Sequence, residues 1–131
     1  MTGLALQLCP CGTGKRYAAC CGPLHLGQEK ASTAEALMRS RYSAYALGLA
    51  DYLRATWHPS TCPARLELED PSQIKWLALE VRRHEMPDDE HAFVEFVARY
   101  RIGGRGHRLH EVSRFVCEGG RWLYLDGDHR D

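Results

Sequence analysis

The sequence contains little lysine and has no excess of either charge. Its 17 basic and 17 acidic residues give a formal net charge of zero. Only Lys15, Lys30 and Lys75 are lysines, so arginine carries most of the positive charge. Balanced charge argues against broad, nonspecific binding to nucleic acids or to membrane surfaces, although it permits a local basic patch.

Long apolar runs are also missing. No stretch reaches the roughly 20 apolar residues that a transmembrane helix needs. Residues 1–8 have neither the basic start nor the apolar centre of a signal peptide. We therefore expect a cytoplasmic protein that does not bind membranes. The reducing conditions of the cytoplasm would leave Cys62 and Cys117 as free thiols.

Cysteine, in contrast, is concentrated in one short segment. Four of the six cysteines lie between positions 9 and 21, namely Cys9, Cys11, Cys20 and Cys21. Four thiolates, each about 2.3 Å from a tetrahedral zinc ion, form a closed site with no open coordination position. The spacing therefore predicts a structural zinc site that serves folding or docking, and not zinc catalysis.

Three alternatives to zinc remain for these cysteines, and the first is four independent buried thiols without a metal. A disulfide between the two pairs is possible, whereas a bridge within a pair would be strained because its cysteines are nearly adjacent. Iron or copper could also occupy a site of thiolates. We favour zinc because Gly12 and Gly14 can adopt the positive φ of a metal-binding turn, and because Lys15 and Arg16 supply compensating positive charge.

The segment from Cys9 to Gly22 resembles the SEC-C zinc motif at the C-terminal tail of the protein-export motor SecA. The usual Gly-Ser-Gly-Lys of that motif is Gly12-Thr13-Gly14-Lys15 here, and the final ligand, usually histidine, would be Cys21. In SecA-like proteins the motif docks on a chaperone or on the ribosome. The resemblance therefore implies docking on another protein.

Helical periodicity follows this segment. Ser32 or Thr33 is a suitable N-cap, with Glu35 in the first turn. Apolar side chains then recur at helical spacing, and Gly48 indicates the C-terminal end of the helix. A second, short helix is predicted to start at Asp51 and to end before Pro59.

Alternation with a period of two begins near residue 77. It predicts four strands at about 77–81, 94–102, 107–117 and 121–126, separated by turns at 88–90, 103–106 and 118–120. Residues Arg65 to Leu68 are predicted to add an edge strand. Helices followed by an antiparallel sheet predict an α+β fold with the helices on one sheet face.

The other sheet face is also partly apolar. Val112 and Leu123 fall on one side of the predicted sheet, and Phe115 and Trp122 fall on the other. Both faces therefore need cover. A homodimer that forms through the sheet would provide it, and so would the cysteine segment folding back.

Several stretches resemble the uncharacterised bacterial YchJ family, and the match covers nearly the whole chain. They are 37–45, Thr56-Trp57-His58-Pro59, 96–100, Ser113-Arg114-Phe115 and 122–127. Such proteins combine an N-terminal SEC-C motif with a domain similar to nuclear transport factor 2, a cone-shaped α+β fold. The resemblance implies two units: residues 1–26, which we call the knuckle, and residues 27–131, which we call the cone domain.

Folds of this type often hold a pocket between the helices and the concave sheet. Arg41 lies on or beside the apolar stripe of the first helix, and Glu111 or Asp126 could be its acidic partner. We favour an internal ion pair. The alternative is a pocket for a small anionic or aromatic ligand, and its predicted members are Arg41, Tyr42, Tyr45, Trp57, His58, Glu111, Arg114 and Asp126.

Catalysis would need a general base, for which only His58 and Glu111 are candidates. A role for His58 in ending a helix is the simpler interpretation. His25, four residues after Cys21, could substitute for a metal ligand.

Two functions therefore remain at this point. One is a zinc-binding adaptor that docks on another protein through its knuckle, and the alternative is a small lyase or isomerase that uses the pocket. We favour the adaptor over the enzyme. RNA contact through Lys15, Arg16 and Tyr17 is a minor possibility.

Overall fold

The computed structural model describes residues 6–70 and 72–130. A 3₁₀ turn at Tyr17–Ala19 and a short helix α1 at Gly22–His25 belong to the knuckle. They are followed by α2 at Ala34–Leu47 and α3 at Ala50–Ala55, and then by strands β1 at Ile74–Asp88, β2 at His91–Ile102, β3 at Arg105–Glu118 and β4 at Arg121–Arg130. This is the predicted α+β architecture. No helix in the described ranges is long and apolar enough to span a membrane.

Helix α2 has the ends that its sequence predicts. The Thr33 hydroxyl accepts a hydrogen bond from the Ala36 N–H at 3.0 Å, which satisfies one of the free donors of the first turn. Gly48 ends the helix with a left-handed φ of 74°, a conformation that costs glycine little because it has no Cβ. The helix thereby presents a fixed buried face to the sheet.

The four strands form one antiparallel meander in the order β1-β2-β3-β4. Gly103–Gly104 and Gly119–Gly120 make two-residue turns, and all four glycines have positive φ, as such hairpins require. The strands are longer than the sequence predicted, since β1 begins at Ile74 and β4 continues to Arg130. Register shifts in β1 mark bulges, which bend the sheet.

The predicted edge strand at Arg65 to Leu68 is wrong. The structure assigns no strand between residues 61 and 70, and β1 pairs only with β2. Leu66 and Leu68 are half-buried and their neighbours are exposed, which reproduces a strand-like alternation without any pairing. Prolines near both ends of this segment lack the N–H that a strand ladder needs.

The segment after α3 instead contacts β4. The His58 N–H donates to the Tyr124 carbonyl, and the Tyr124 N–H donates to the Thr56 carbonyl, both at 2.8 Å. These bonds form an isolated parallel bridge between Trp57 and Tyr124. They place Trp57 over the concave side of the sheet.

The outer face of the sheet is largely covered within a single chain. Val97, Val112 and Leu123 are 1%, 7% and 4% exposed, and by strand register they lie opposite the helix-covered face. Their burial weakens the argument that an uncovered outer face requires a homodimer. The homodimer stays a prediction.

Candidate functional site

The four predicted cysteines converge on one point. All four Sγ atoms lie within 4.8 Å of one another, with Cys11 to Cys20 at 3.5 Å and Cys20 to Cys21 at 4.0 Å. A tetrahedral site with metal–sulfur bonds of about 2.3 Å places its sulfurs roughly 3.8 Å apart. All six cysteines are free thiols, so no disulfide competes for them. The cluster could therefore bind a metal ion.

A small ribbon presents the first pair of cysteines. The Cys9 N–H donates to the Lys15 carbonyl, and the Tyr17 N–H donates to the Gln7 carbonyl, both at 2.8 Å. Gly12 and Gly14 both have a φ of 85°, as predicted, and they reverse the chain between these bonds. The 3₁₀ turn and α1 that follow bring Cys20 and Cys21 back to the same point.

The sulfur environment favours thiolate character at one side of the cluster. Hydrogen bonds from the thiols of Cys21 and Cys9 hold the pKa of Cys11 well below its usual range. The same contact with Cys11 raises the pKa of Cys9 to about 11. The Thr13 hydroxyl lies 3.1 Å from the Cys20 sulfur, where it can donate to a thiolate in the way that outer-shell groups of metal sites do.

The knuckle packs on the cone domain. Cys9, Cys11 and Cys21 are 4%, 0% and 2% exposed, and they belong to the same hydrophobic cluster as residues of α2 and the concave sheet face. Arg39 of α2 donates from Nη1 to the Cys11 carbonyl at 2.9 Å. The cysteine cluster is thus a buried part of the common core and does not swing on the linker.

His25 connects the two units instead of facing the sulfurs. Its Nδ1 lies 2.6 Å from the Tyr17 hydroxyl, and its Nε2 lies 2.8 Å from the Ser40 carbonyl of α2. Both ring nitrogens are therefore used in hydrogen bonds. Burial lowers the pKa of His25, which favours the neutral imidazole in this position.

The knuckle also exposes apolar side chains to solvent. Leu6, Leu8 and Leu26 are 57%, 66% and 73% exposed, and the basic residues Lys15 and Arg16 of the intervening turn are exposed as well. In the cone domain, only Leu77 and Met86 among the described large apolar residues are comparably exposed. The surface around the cysteine cluster therefore combines apolar and positively charged groups.

A second feature is a cavity of about 270 Å³ between α2 and the concave sheet face. This cavity is lined by Met38, Arg41, Tyr42, Tyr45, Trp57, Trp76, Phe96, Ala98, Leu109, Glu111, Ser113, Phe115 and Tyr124. Most of them are aromatic or aliphatic. One cation and one carboxylate interrupt this apolar lining.

Arg41 is the cation. It is 5% exposed, and its Nη1 donates to the Leu53 carbonyl at 2.8 Å and to the Thr56 hydroxyl at 2.7 Å. Its guanidinium carbon lies 5.0 Å from the Trp57 ring centre and 4.6 Å from the Tyr124 ring centre. Two aromatic faces thus stabilise the charge through cation–π contacts.

The predicted ion pair of Arg41 with Glu111 or Asp126 is wrong. Among the described residues, no carboxylate lies within salt-bridge distance of Arg41. Asp126 instead pairs with Arg114 at 2.6 Å. Burial lowers the pKa of Arg41, because the charged form loses its hydration there.

Glu111 is the carboxylate of the cavity, and it is fully engaged. Its Oε2 accepts from the Ser113 hydroxyl at 2.5 Å and from the Tyr124 hydroxyl at 3.2 Å. Its Oε1 lies 3.3 Å from the exposed His129 ring. Gly127 makes this position possible, since a Cβ there would lie only 2.9 Å from Glu111 Cγ.

Tyr45 lies under the influence of both charges. Burial raises the pKa of its phenol, the positive charge of Arg41 lowers it, and the negative charge of Glu111 raises it. Burial likewise raises the pKa of Tyr42 to about 12. These phenols are therefore neutral hydrogen-bonding groups at physiological pH.

Three of the eight predicted pocket residues lie outside the cavity. His58 contacts Ser60 at 2.7 Å and Glu118 at 2.9 Å. It does not cap α3, whose C-cap is Thr56. Arg114 and Asp126 pair with each other on the opposite sheet face. Arg114 alternates with the lining residues of β3, and the bulge in β4 between Tyr124 and Asp126 turns Asp126 to the face opposite Tyr124. The other five, Arg41, Tyr42, Tyr45, Trp57 and Glu111, line the cavity.

Sequence reasoning missed the apolar majority of the lining. Trp76, Phe96 and Leu109 come from three different strands. Alternation did assign Phe96 to an inward face, but it could not show which inward residues surround empty space. Ser113 and Tyr124 were missed as partners of Glu111, because alternation assigns residues to a face but does not show which side chains on that face bond to each other.

Comparison with protein families identifies both parts of the chain. Residues 33–127 match the model of the family described as the YchJ middle domain, similar to nuclear transport factor 2. Residues 7–23 match the SEC-C motif. The exact boundary between the two units, predicted at residues 26 and 27, stays a prediction.

Similar proteins are found over nearly the full length. A UPF0225 protein of Ralstonia nicotianae is 58% identical, and the match covers 92% of this chain and 90% of that protein. The solution structure of a SEC-C motif containing protein from Rhodopseudomonas palustris has a TM-score of 0.82 at 37% identity, covering 94% of this chain and 98% of that one. A crystal structure of such a protein from Psychrobacter arcticus gives 0.79 at 31% identity, covering 95% and 84%.

Proposed function

Since this chain belongs to the YchJ family and carries a SEC-C motif, we propose that it is a zinc-binding adaptor that docks on another protein through its knuckle. The exposed leucines beside the cysteine cluster are the observation that carries this proposal. Leu6, Leu8 and Leu26 are each more than half exposed, whereas Cys9, Cys11 and Cys21 of the same segment are buried. Exposed apolar groups with a polar surround are typical of interaction surfaces.

Zinc is the metal that we propose for the cluster. Four sulfur donors at tetrahedral spacing suit zinc, which accepts a closed set of thiolates without redox chemistry. A fully coordinated ion offers no position for a substrate. The metal would therefore fix the backbone that carries the leucines and would take no part in a reaction.

The attachment of the knuckle supports a docking role. The buried cysteines and the contact of Arg39 with the Cys11 carbonyl hold the knuckle against α2. A preformed surface loses little conformational freedom when it binds, which favours affinity. Lys15 and Arg16 add positive charge. The partner should therefore present apolar residues next to acidic ones.

The proposal includes a cytoplasmic location. Metal-binding thiolates must stay reduced, and the cytoplasm keeps thiols in that state.

The lyase or isomerase has less support. Of its two candidate bases, His58 lies outside the cavity. Both oxygens of Glu111 already have partners, which a substrate would have to displace. This alternative stays a prediction.

Introducing negative charges at exposed apolar residues tests the docking surface without changing a cysteine of the metal site. The Leu8→Glu, Leu26→Glu variant changes two exposed knuckle residues, and Leu77→Glu, Met86→Glu is the matched control on β1. Each tagged protein is used to capture partners from cell extract. Any captured protein is then purified, and its affinity for all three chains is measured.

We expect a direct partner whose affinity falls at least tenfold for the knuckle variant and stays unchanged for the control. Equal affinity for all three chains would place the contact elsewhere and overturn the proposal. Loss with the control alone would move the docking surface to β1. Native mass spectrometry of the untagged chain checks the metal, with one zinc per chain expected.

A further inference from the structure

We propose that the cavity of the cone domain is a binding site for a small aromatic carboxylate, whose anionic group pairs with Arg41. This site is independent of the docking role of the knuckle. The inference rests on the balance of hydrogen-bond donors and acceptors around the cavity, and on the apolar character of the remaining lining.

Donors outnumber acceptors at the Arg41 side of the cavity. Arg41 uses Nη1 in its hydrogen bonds to Leu53 and Thr56, which leaves Nε and Nη2 for the neighbouring Tyr45 phenol and for a ligand. These nitrogens are not among the described side-chain atoms that are fully buried and unsatisfied. Arg41 also lines the cavity, so a ligand in the cavity can reach the free edge of the guanidinium.

A second donor without a partner belongs to the indole ring that packs against the Arg41 guanidinium. The Nε1 of Trp57 is buried and has no hydrogen-bond partner among the described residues, and its ring stacks over Arg41 at 5.0 Å. A buried donor without an acceptor is destabilising, because it has lost its hydrogen bond to water. This nitrogen is fully buried, so a ligand in the cavity does not reach it. The acceptor is needed at Arg41, where a carboxylate supplies two oxygens in the planar geometry that arginine binds best.

The acceptor side of the cavity needs no ligand. Glu111 already accepts from Ser113 and Tyr124, and its other oxygen faces His129. A cationic ligand would have to compete with these bonds. The missing charge is therefore negative and belongs at Arg41.

The lining determines the rest of the ligand. Aromatic and aliphatic side chains surround the cavity, and Trp76 packs edge-to-face on Tyr42 and at a tilt on Tyr100, with centroid distances of 5.5 and 5.0 Å. A flat aromatic body suits such walls. The volume of about 270 Å³ lies just below the usual range of ligand pockets, about 300–1,000 Å³. A single ring is the appropriate size.

Benzoate and benzamide form a matched pair of probes. They share shape and ring, but only benzoate carries a charge at neutral pH. Each is titrated into the ¹⁵N-labelled full chain, and the three indole N–H signals are followed by NMR. Trp57 and Trp76 line the cavity, whereas Trp122 does not and serves as an internal reference.

We expect benzoate to move the signals of Trp57 and Trp76, to leave that of Trp122 in place, and to bind at least tenfold more tightly than benzamide. Equal binding of the two probes would overturn the carboxylate assignment. No movement with either probe at 10 mM, which is about 100-fold above a Kd of roughly 0.1 mM, would overturn the site itself.

Two variants and a control sharpen the result. Glu111→Gln should strengthen benzoate binding, because it removes the one negative charge of the cavity lining. A tenfold loss with Glu111→Gln would contradict the proposed polarity. Arg41→Lys should weaken benzoate at least tenfold, while Arg114→Gln, on the opposite sheet face, should have no effect. If Arg41→Lys does not fold, the probe pair and Glu111→Gln still decide.

Discussion

The knuckle and the cavity differ in how far apart along the chain their residues lie. The cysteine cluster draws its four sulfurs from positions 9 to 21. The cavity draws its lining from positions 38 to 124, on a helix, a loop and all four strands. Both are buried and both contain groups capable of binding a ligand, yet only the first is recognisable as a complete set in the sequence.

This difference has a physical cause. A metal site made from a short loop is constrained by turn geometry, so glycine positions and cysteine spacing predict it. A cavity depends on where helices and strands leave space, and that depends on packing across the whole domain. The two regions nevertheless share one hydrophobic cluster. Loss of the metal should therefore affect the cone domain as well.

Removing the metal is the strongest way to test this coupling. We expect Cys11→Ser to lose the metal and to lower Tm by at least about 10 °C, because structural zinc contributes directly to folding free energy. Cys11 is fully buried in the shared cluster. Metal content and calorimetric Tm of the same samples are the measurements.

The matched control is Cys62→Ser, which changes a cysteine outside the cluster. Its metal content should equal that of the parent chain. If Cys11→Ser loses the metal but keeps its Tm, the two regions are uncoupled and the shared cluster adds no stability.

Shortening a buried side chain of α2, the helix that contacts both regions, should have the next largest effect. Leu37→Ala should lower the unfolding free energy by about 2–5 kcal/mol, since Leu37 is 2% exposed within the shared cluster. Leu26→Ala, at a site that is 73% exposed, should change it by less than about 0.5 kcal/mol. Urea unfolding gives both values, and similar losses at the two sites would contradict the core assignment.

A glycine tests how the cavity holds its carboxylate. Gly127→Ala should destabilise the protein by about 1–3 kcal/mol, because the new Cβ would meet the Glu111 side chain. Gly106→Ala is the control, since its Cβ meets nothing within 4 Å. It should be neutral or slightly stabilising.

A double-mutant cycle with Glu111→Ala identifies the cause. The cost of Gly127→Ala should shrink once the Glu111 side chain is removed. An unchanged cost would show that the backbone at Gly127, and not the carboxylate, is responsible.

The smallest expected effect is the pH dependence at the contact between knuckle and helix. Burial holds the pKa of His25 below the usual histidine value of about 6.5. The unfolded chain therefore binds a proton at His25 more readily than the folded chain does. The contribution of neutral His25 to the free energy of unfolding should be fully present above about pH 6.5 and should be lost as the pH falls below it. NMR titration of the His25 ring checks the direction. A His25 pKa at or above 6.5 would contradict the buried, neutral assignment.

Much of the fold was predictable because local signals agreed with it. Thr33 and Gly48 bound α2 as expected, and alternating residues placed the four strands in the right order. The segment at 65–68 failed because alternation alone does not create a pairing partner. Pairing depends on a free neighbouring edge and on available N–H donors.

The cavity was only half predictable for a related reason. Helical spacing correctly grouped Arg41, Tyr42 and Tyr45, and the strand pattern suggested Glu111. Asp126 was assigned to the wrong side of the sheet, since one extra residue in β4 exchanges the two faces. Arg114 was assigned to the cavity although its position in β3 alternates with that of Glu111. His58 follows Trp57 directly, yet its side chain faces Glu118.

The sequence by itself determined the family, the α+β class and the set of four clustered cysteines, because each depends on order and spacing over short distances. Tertiary structure decided that the knuckle joins the core, that Arg41 has aromatic rings in place of a carboxylate, and that Glu111 takes its partners from Ser113 and Tyr124. Those contacts join residues far apart in the chain. Only packing and strand register fix such distances.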